Sequence, residues 1–254
     1  MGKSYRQITP ELACQIRLIM TDVDGTLLTS GEYVNQEVVE VISRLRERGI
    51  IVGLVSGRTI PRLERLAAFA GTDGPIIAEN GGSAKLNDGG ELVALGYSRR
   101  PALEALEKLK TIFPGTIKEK EDNSDRLVDV AFQASGIAVS DLKKHLADIQ
   151  LLDSGYMLHL LEEGVSKGNT LKRLLGEMGD GNLSLSEIMV FGDSLTDISL
   201  FEIFPHSVMV INPGLPAEQI EPVREQAEYI SSLTCGDGFI EVASHIISLR
   251  ENEG

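Results

Sequence analysis

Residues 18–28 read LIMTDVDGTLL. An apolar run closes on two aspartates one residue apart, Asp22 and Asp24, and Gly25 and Thr26 follow at once. The run is too short for an ordinary helix and continuous enough for a strand buried on both faces. The chain therefore sets two carboxylates at the end of a buried strand. Like charges at that spacing repel, and removing them from water is costly. A solvated turn would tolerate the pair; otherwise something positive belongs beside it.

Working outward, short apolar runs at residues 16–20, 50–55 and 75–78 alternate with two helical patterns. In NQEVVEVISRLRERG, Val38, Ile42 and Leu45 recur at helical spacing and Gly49 is placed to end the helix. RTIPRLERLAAFAGTDG reads as a second helix. Strand, helix, strand, helix, strand predicts parallel βαβ units. The rhythm returns late: KGNTLKRLLGEMG, LTDISLFEIF, PAEQIEPVREQA and DGFIEVASHIISLR read as helices, with EIMVFG, SVMVIN and EYIS as strands between them. The expectation is a Rossmann-like α/β core of six parallel strands. The middle differs. A hairpin-like pair of strands around residues 87–90, a helix through Leu103, Leu106 and Leu109, strands near 116–120, 126–133 and 156–161, and a helix aligning Leu142, Leu146 and Ile149 predict an α+β unit. The reading is a core at 1–82 and 164–254 with an inserted domain at 83–163, flanked by Gly81, Gly82 and Gly164.

Composition bounds the function. The 254 residues carry a formal charge of −14, which argues against a nucleic-acid partner. No apolar run approaches membrane-spanning length, and the first residues lack a signal-peptide apolar stretch, so a cytoplasmic location is expected. Cys14 and Cys235 match no metal spacing and read as reduced thiols.

Open parallel sheets place ligands at the C-terminal ends of their strands. There the sequence puts Asp22, Asp24 and Gly25; Ser56, Gly57 and Arg58; Glu79, Asn80 and Gly81; Asp193, Ser194 and Asp197; and Asn212. Residues i and i+2 of a strand share a face, so Asp22 and Asp24 can point to one place, and Asp193 and Asp197 are spaced for one helix face. Carboxylates sharing a pocket, with few His or Cys nearby, suit Mg²⁺ rather than zinc. Lys167 opens the helix after the insertion, where its ammonium and the helix N-terminus favour an anion. A carboxylate nucleophile, a second carboxylate, Mg²⁺, a lysine and the Ser56 hydroxyl are equipment for phosphoryl transfer through an aspartyl phosphate.

TDVDGTLL, VSGR, SKGNTL and VFGDSLTD, in that order, resemble the four motifs of the haloacid dehalogenase superfamily phosphatases, with a cap inserted between the second and third. IIAENGG, LLDSGYMLHLLEEGVSKG and CGDGFIEVASHII look most like the archaeal-type phosphoglycolate phosphatases, relatives of the sucrose-phosphate and mannosyl-phosphoglycerate phosphatases. The resemblance implies that Asp22 attacks phosphorus and that Asp24 protonates the leaving alkoxide and then activates water. It implies Mg²⁺ held by Asp22, the Asp24 backbone carbonyl and Asp193, with Asp197 close by. Ser56, Gly57, Lys167 and Asn212 form the expected phosphate-binding set, and a small phosphorylated metabolite the expected partner. Where many relatives have Asn in the fourth motif, Thr196 stands here, which bears on the geometry around the metal.

Plainer readings remain beside these. Ser56 and Asp193 could serve as helix caps, and Arg58 as a surface residue. His159 reads as a packed residue, Arg126 as a surface arginine, Asn80 and Asn212 as turn formers, and acidic runs such as EKEDNSD as solvated loops. A sugar phosphomutase or a receiver-like signalling module would use a similar aspartate.

Overall fold

The computed structural model describes residues 2–29, 34–87, 89–177 and 183–251. The strands are β1 (Lys3–Ser4), β2 (Leu18–Thr21), β3 (Ile51–Val55), β4 (Ile76–Ala78), β5 (Ser83–Lys85), β6 (Ile117–Glu119), β7 (Val130–Ala134), β8 (Ile149–Asp153), β9 (Leu158–Glu162), β10 (Ile188–Gly192), β11 (His206–Ile211) and β12 (Tyr229–Thr234). The helices are α1 (Pro10–Gln15), α2 (Gln36–Glu47), α3 (Ile60–Ala70), α4 (Arg100–Ile112), α5 (Val139–Lys143), α6 (Lys167–Leu175), α7 (Ile198–Ile203), α8 (Ala217–Gln226) and α9 (Cys235–Glu251).

The large sheet has the order β1-β12-β11-β10-β2-β3-β4-β5, and only β5 runs antiparallel to its neighbour. Successive strands step one way from β2 to β4 and the other way from β10 to β12, so the switch point lies between β2 and β10. Alternation along the strands fills both faces. Ile19, Val52, Leu54, Met189 and Phe191 pack with Val38 and Ile42 of α2, Leu63 of α3 and Ile246 of α9. Leu18, Met20, Val55 and Val190 pack with Leu171 and Leu174 of α6 and Leu200 of α7. Each such side chain contributes about 1.5–3 kcal/mol when fully buried. With both faces covered, ligands reach this sheet only at its strand ends.

A second sheet, β6-β7-β9-β8, is antiparallel throughout. Leu106 and Leu109 of α4 and Leu142 of α5 cover one face, against Val130, Phe132, Leu158 and Leu160. No described helix is long and apolar enough to cross a membrane.

Several expectations are corrected. The large sheet has eight strands among the described residues, not six. Ser83–Lys85, expected within the insertion, pairs with β4 instead, and Ala84 and Leu95 pack in the core. Lys85 bridges Leu92 across the expected turn at 87–90, of which residue 88 lies outside the described residues. The helix aligned through Ile149 stops at Lys143; Asp148 is left-handed (φ 59°), and Ile149 begins β8 against β9. Leu142, Leu146 and Ile149 mimic a helical stripe because the apolar spacing runs on across that turn. The expected helix 167–179 is α6 up to Leu175, and residues 178 and 179 lie outside the described residues. LTDISLFEIF divides into a short 3₁₀ turn, Leu195–Asp197, and α7.

Candidate active site

Asp22 follows β2 directly, and its amide donates to the Phe191 carbonyl of β10 at 2.9 Å, which ties the loop to the switch point. The chain then turns at Gly25, whose φ of 89° is left-handed. A Cβ there would lie 2.3 Å from Asn212 Nδ2 and 2.5 Å from Asp193 Oδ2, so only glycine fits on both conformation and space. On the β10 side, Asp193 is fully buried. Its Oδ1 accepts from Thr26 Oγ1 at 2.8 Å and its Oδ2 from Asn212 Nδ2 at 2.7 Å.

Asp197 opens α7. Its Oδ2 accepts from the amides of Asp193 and Ser194, at 3.1 and 3.0 Å. Its Oδ1 accepts from Lys167 Nζ at 2.6 Å, and the same ammonium donates to Asp22 Oδ1 at 2.7 Å. Ser166 caps α6 by accepting from the Asn169 amide, which fixes Lys167 as the first helical residue. One buried lysine thus joins the two halves of the sheet through two buried carboxylates.

Three carboxylates surround one lysine. Oxygens of Asp22, Asp193 and Asp197 lie within 4.8 Å of one another. Burial raises Asp22 well above the usual carboxylate range; Asp197 and Asp193 add to this, and Lys167 opposes it. Burial, then Asp197, pushes Asp193 up to about 7, against the Asn212 and Thr26 hydrogen bonds. Burial works against the Lys167 ammonium, but Asp197 and Asp22 outweigh it and raise its pKa. Lys167 neutralises one of the three negative charges. The oxygen-only donor set and the two charges left over fit a divalent cation.

Asp24 stands outside this triad. Arg58 donates to it twice, Nε to Oδ2 at 2.8 Å and Nη2 to Oδ1 at 2.6 Å. Ser56 is buried; its Oγ accepts from the Arg58 amide at 3.2 Å, which leaves the hydroxyl hydrogen for an acceptor in the cleft. That cleft, of about 430 Å³, is lined by Asp22, Asp24, Ser56, Gly57 and Lys167 from the core and by Arg126 and His159 from the smaller sheet's side.

Some expected roles change. Asn212, expected at the phosphate, commits its Nδ2 to Asp193 and to the Tyr156 hydroxyl at 2.8 Å, so here it supports Asp193. Thr196 shares a hydrogen bond with Ser194 Oγ at 2.9 Å. Arg126, expected at the surface, is 5% exposed. It pairs with Asp129 and Asp122 and donates to the Gly57 carbonyl at 3.0 Å. The expected solvated loop EKEDNSD contains a short 3₁₀ turn, Glu121–Asp125, with Asp122 and Asn123 buried. The packed reading of His159 agrees with its burial, and its Nδ1 lies 2.7 Å from Asp129 Oδ2. Burial works against the Asp129 carboxylate, yet His159 and Arg126 hold it below the usual range.

Sequence reasoning placed Glu79 at a strand end but gave it no role. It is fully buried, left-handed at φ 53°, and its carboxylate accepts from the amides of Leu127, Val128 and Asp129 at 2.8–3.0 Å and from Ser83 Oγ at 3.1 Å. One carboxylate at the end of β4 therefore holds three consecutive amides leading into β7. The available signal was a charged residue directly after a buried strand.

The chain is 37% identical over 233 residues to a phosphoglycolate phosphatase of Methanoculleus marisnigri, covering 89% of this chain and 94% of that one. It is 30% identical over 232 residues to a phosphoglycolate phosphatase of Thermoplasma volcanium, covering 91% and 98%. Among solved structures, a Thermoplasma acidophilum protein matches with a TM-score of 0.77 at 25% identity, over 92% of this chain and 99% of that one. A sucrose-phosphatase of Synechocystis shares the fold, with a TM-score of 0.68 at 18% identity over 91% and 98%. The description of the haloacid dehalogenase-like hydrolase family matches residues 19–124 and 103–242. With that match spanning both halves of the sheet and everything between them, the chain belongs to the haloacid dehalogenase-like hydrolases.

Proposed function

We propose that this hydrolase is a Mg²⁺-dependent phosphatase that cleaves 2-phosphoglycolate through a phosphoenzyme on Asp22. The observation that carries the reading is Lys167 set between Asp22 and Asp197, with Asp193 completing a buried acidic triad at the switch point. The substrate is supported by the phosphoglycolate phosphatases to which the chain is similar.

The chain's own residues divide the chemistry. The Asp22 carboxylate attacks phosphorus, and the ester oxygen leaves with a proton from Asp24. Water then attacks the same phosphorus, gives its proton to Asp24, and releases inorganic phosphate and Asp22. Lys167 offsets charge on Asp22 and on the phosphoryl oxygens, and Ser56 Oγ donates to one of them. Asp22, the Asp24 backbone carbonyl and Asp193, with Asp197 close by, would hold the metal, which would supply the positive charge that lets a phosphate dianion approach carboxylates.

The domain division belongs to the same proposal. A core carries the chemistry, and the four-stranded unit acts as a cap that excludes bulk water and selects the leaving group. Ser83–Lys85 is assigned to the core because it pairs with β4. A cytoplasmic location and a small phosphorylated partner remain part of this reading. The experiment is phosphate release from 2-phosphoglycolate by the wild type and Asp22→Asn, with Mg²⁺ and with chelator. Release by the wild type with Mg²⁺ alone is expected. Full activity in Asp22→Asn, or in excess chelator, ends the mechanism.

A further inference from the structure

Glu79 and Asn80 are consecutive left-handed residues, at φ 53° and 54°. Asparagine tolerates this backbone better than most residues, which accounts for its type at 80 but not for the use of its amide. The side chain lines the cleft and is 2% exposed, and its Nδ2 has no hydrogen-bond partner. A buried donor left unpaired is costly, so this amide marks a place where an acceptor belongs.

Gly57 shows what else meets there. A Cβ on Gly57 would lie 3.0 Å from Asn80 Nδ2, 3.1 Å from Asn80 Oδ1 and 3.3 Å from His159 Cε1. The bare Cα of Gly57 lets an amide from the core and an imidazole from the cap close on one spot. His159 Nδ1 is engaged with Asp129, whose charge Arg126 balances, so Nε2 is the ring's remaining polar atom. The cleft also carries Lys120, and Arg58, Arg62, Arg126 and Lys167, which are paired with Asp24, Asp122, Asp129, Asp22 and Asp197.

We infer that Asn80 is a specificity-determining residue: its Nδ2, with His159 beside it, receives the carboxylate of the leaving group. A carboxylate is acceptor-only and suits an unpaired N–H donor. The inference rests on the reading of the substrate as a carboxylated phosphomonoester.

Asn80→Gly keeps the left-handed backbone and deletes the amide. Asn80→Asp keeps the shape and replaces the donor by acceptor oxygens, so it carries the comparison should the glycine variant fold poorly by circular dichroism. The readout is kcat/KM for 2-phosphoglycolate divided by kcat/KM for ethyl phosphate, which has two carbons and no carboxylate. The wild type is expected to prefer 2-phosphoglycolate, and the ratio to fall about 10- to 100-fold in Asn80→Gly and further in Asn80→Asp. A ratio unchanged from the wild type in both variants, including equal losses on the two esters as a phosphoryl contact or a structural role would give, overturns this inference alone. A wild type that does not prefer the carboxylated ester overturns the substrate reading and this inference with it.

Discussion

Arg58 and Asp24 are joined by two parallel hydrogen bonds that occupy both oxygens of the carboxylate. Each of those oxygens keeps a second lone pair, so Asp24 can exchange a proton with a leaving oxygen while Arg58 still holds it. In the proposed mechanism Arg58 therefore acts by orienting Asp24. Arg58→Ala is expected to lower kcat/KM about tenfold through a poorly oriented acid/base. The Asp24 side chain is 45% exposed and that of Arg58 13%, so the pair is only half open to solvent; solvent screening keeps its contribution to about 1 kcal/mol, and the melting temperature should fall only slightly. Steady-state kinetics beside thermal denaturation check both halves; a large stability loss with unaltered kinetics would reverse the assignment.

Lys167 has the opposite balance. Its side chain is 2% exposed, and its partners Asp22 and Asp197 are 6% and 0% exposed. Lys167→Met strands two buried carboxylates, and breaking such a pair costs about 3–5 kcal/mol. Urea denaturation in chelator should show a loss of that order, and phosphatase activity should vanish. A variant as stable as the wild type would mean that the triad is hydrated or protonated without its lysine.

The acidic triad gives a pH signature. Asp193 is raised from its ordinary 3.8 to about 7. A raised carboxyl stabilises the folded chain in full below its ordinary value, and this stabilisation is lost as pH rises through the folded value. In chelator, wild-type stability should therefore fall between about pH 4 and pH 7 by more than that of Asp193→Asn. Denaturation midpoints across that window supply the comparison, and parallel curves for the two proteins would refute it. Magnesium should stabilise the wild type most at the alkaline end, where the ligands are charged.

Glu79 predicts a mechanical effect. Glu79→Gln places an amide group among the backbone donors of residues 127–129 and removes the charge they share. Leaving a buried donor unsatisfied costs about 1–3 kcal/mol. Hydrogen exchange at the amides of Leu127, Val128 and Asp129 should accelerate, while the core strands stay protected. Protection unchanged at those amides would show that the carboxylate is dispensable.

The convergence of the candidate site residues was legible because a parallel sheet covered on both faces exports its polar residues to its strand ends. Asp22, Ser56 and Asp193 each close an apolar run, and Lys167 opens a helix beside them. The four-stranded unit was not legible in the same way. Arg126, Asp122 and Asp129 are surface-type residues, and they are buried where Arg126 pairs with both carboxylates and reaches the Gly57 carbonyl, with His159 on Asp129. Strand β8 was hidden by apolar spacing that crosses a left-handed Asp148, a turn that composition does not announce. His159 was read as packed, and the structure adds that its contact is a carboxylate. Asn212 was legible as a polar strand-end residue, but its hydrogen bonds run to Asp193 and Tyr156 because Gly25 lets the two loops touch.

The grip of Glu79 on residues 127–129 also has a consequence for chimeras. A cap grafted from a relative would arrive with its own backbone at the entry to β7, while the carboxylate that receives it belongs to the host. The exchangeable unit is therefore not the visible insertion alone: Glu79 has to travel with the foreign cap, or the host residue has to match it. Grafts cut only at the glycines flanking the insertion would separate the two halves of one joint.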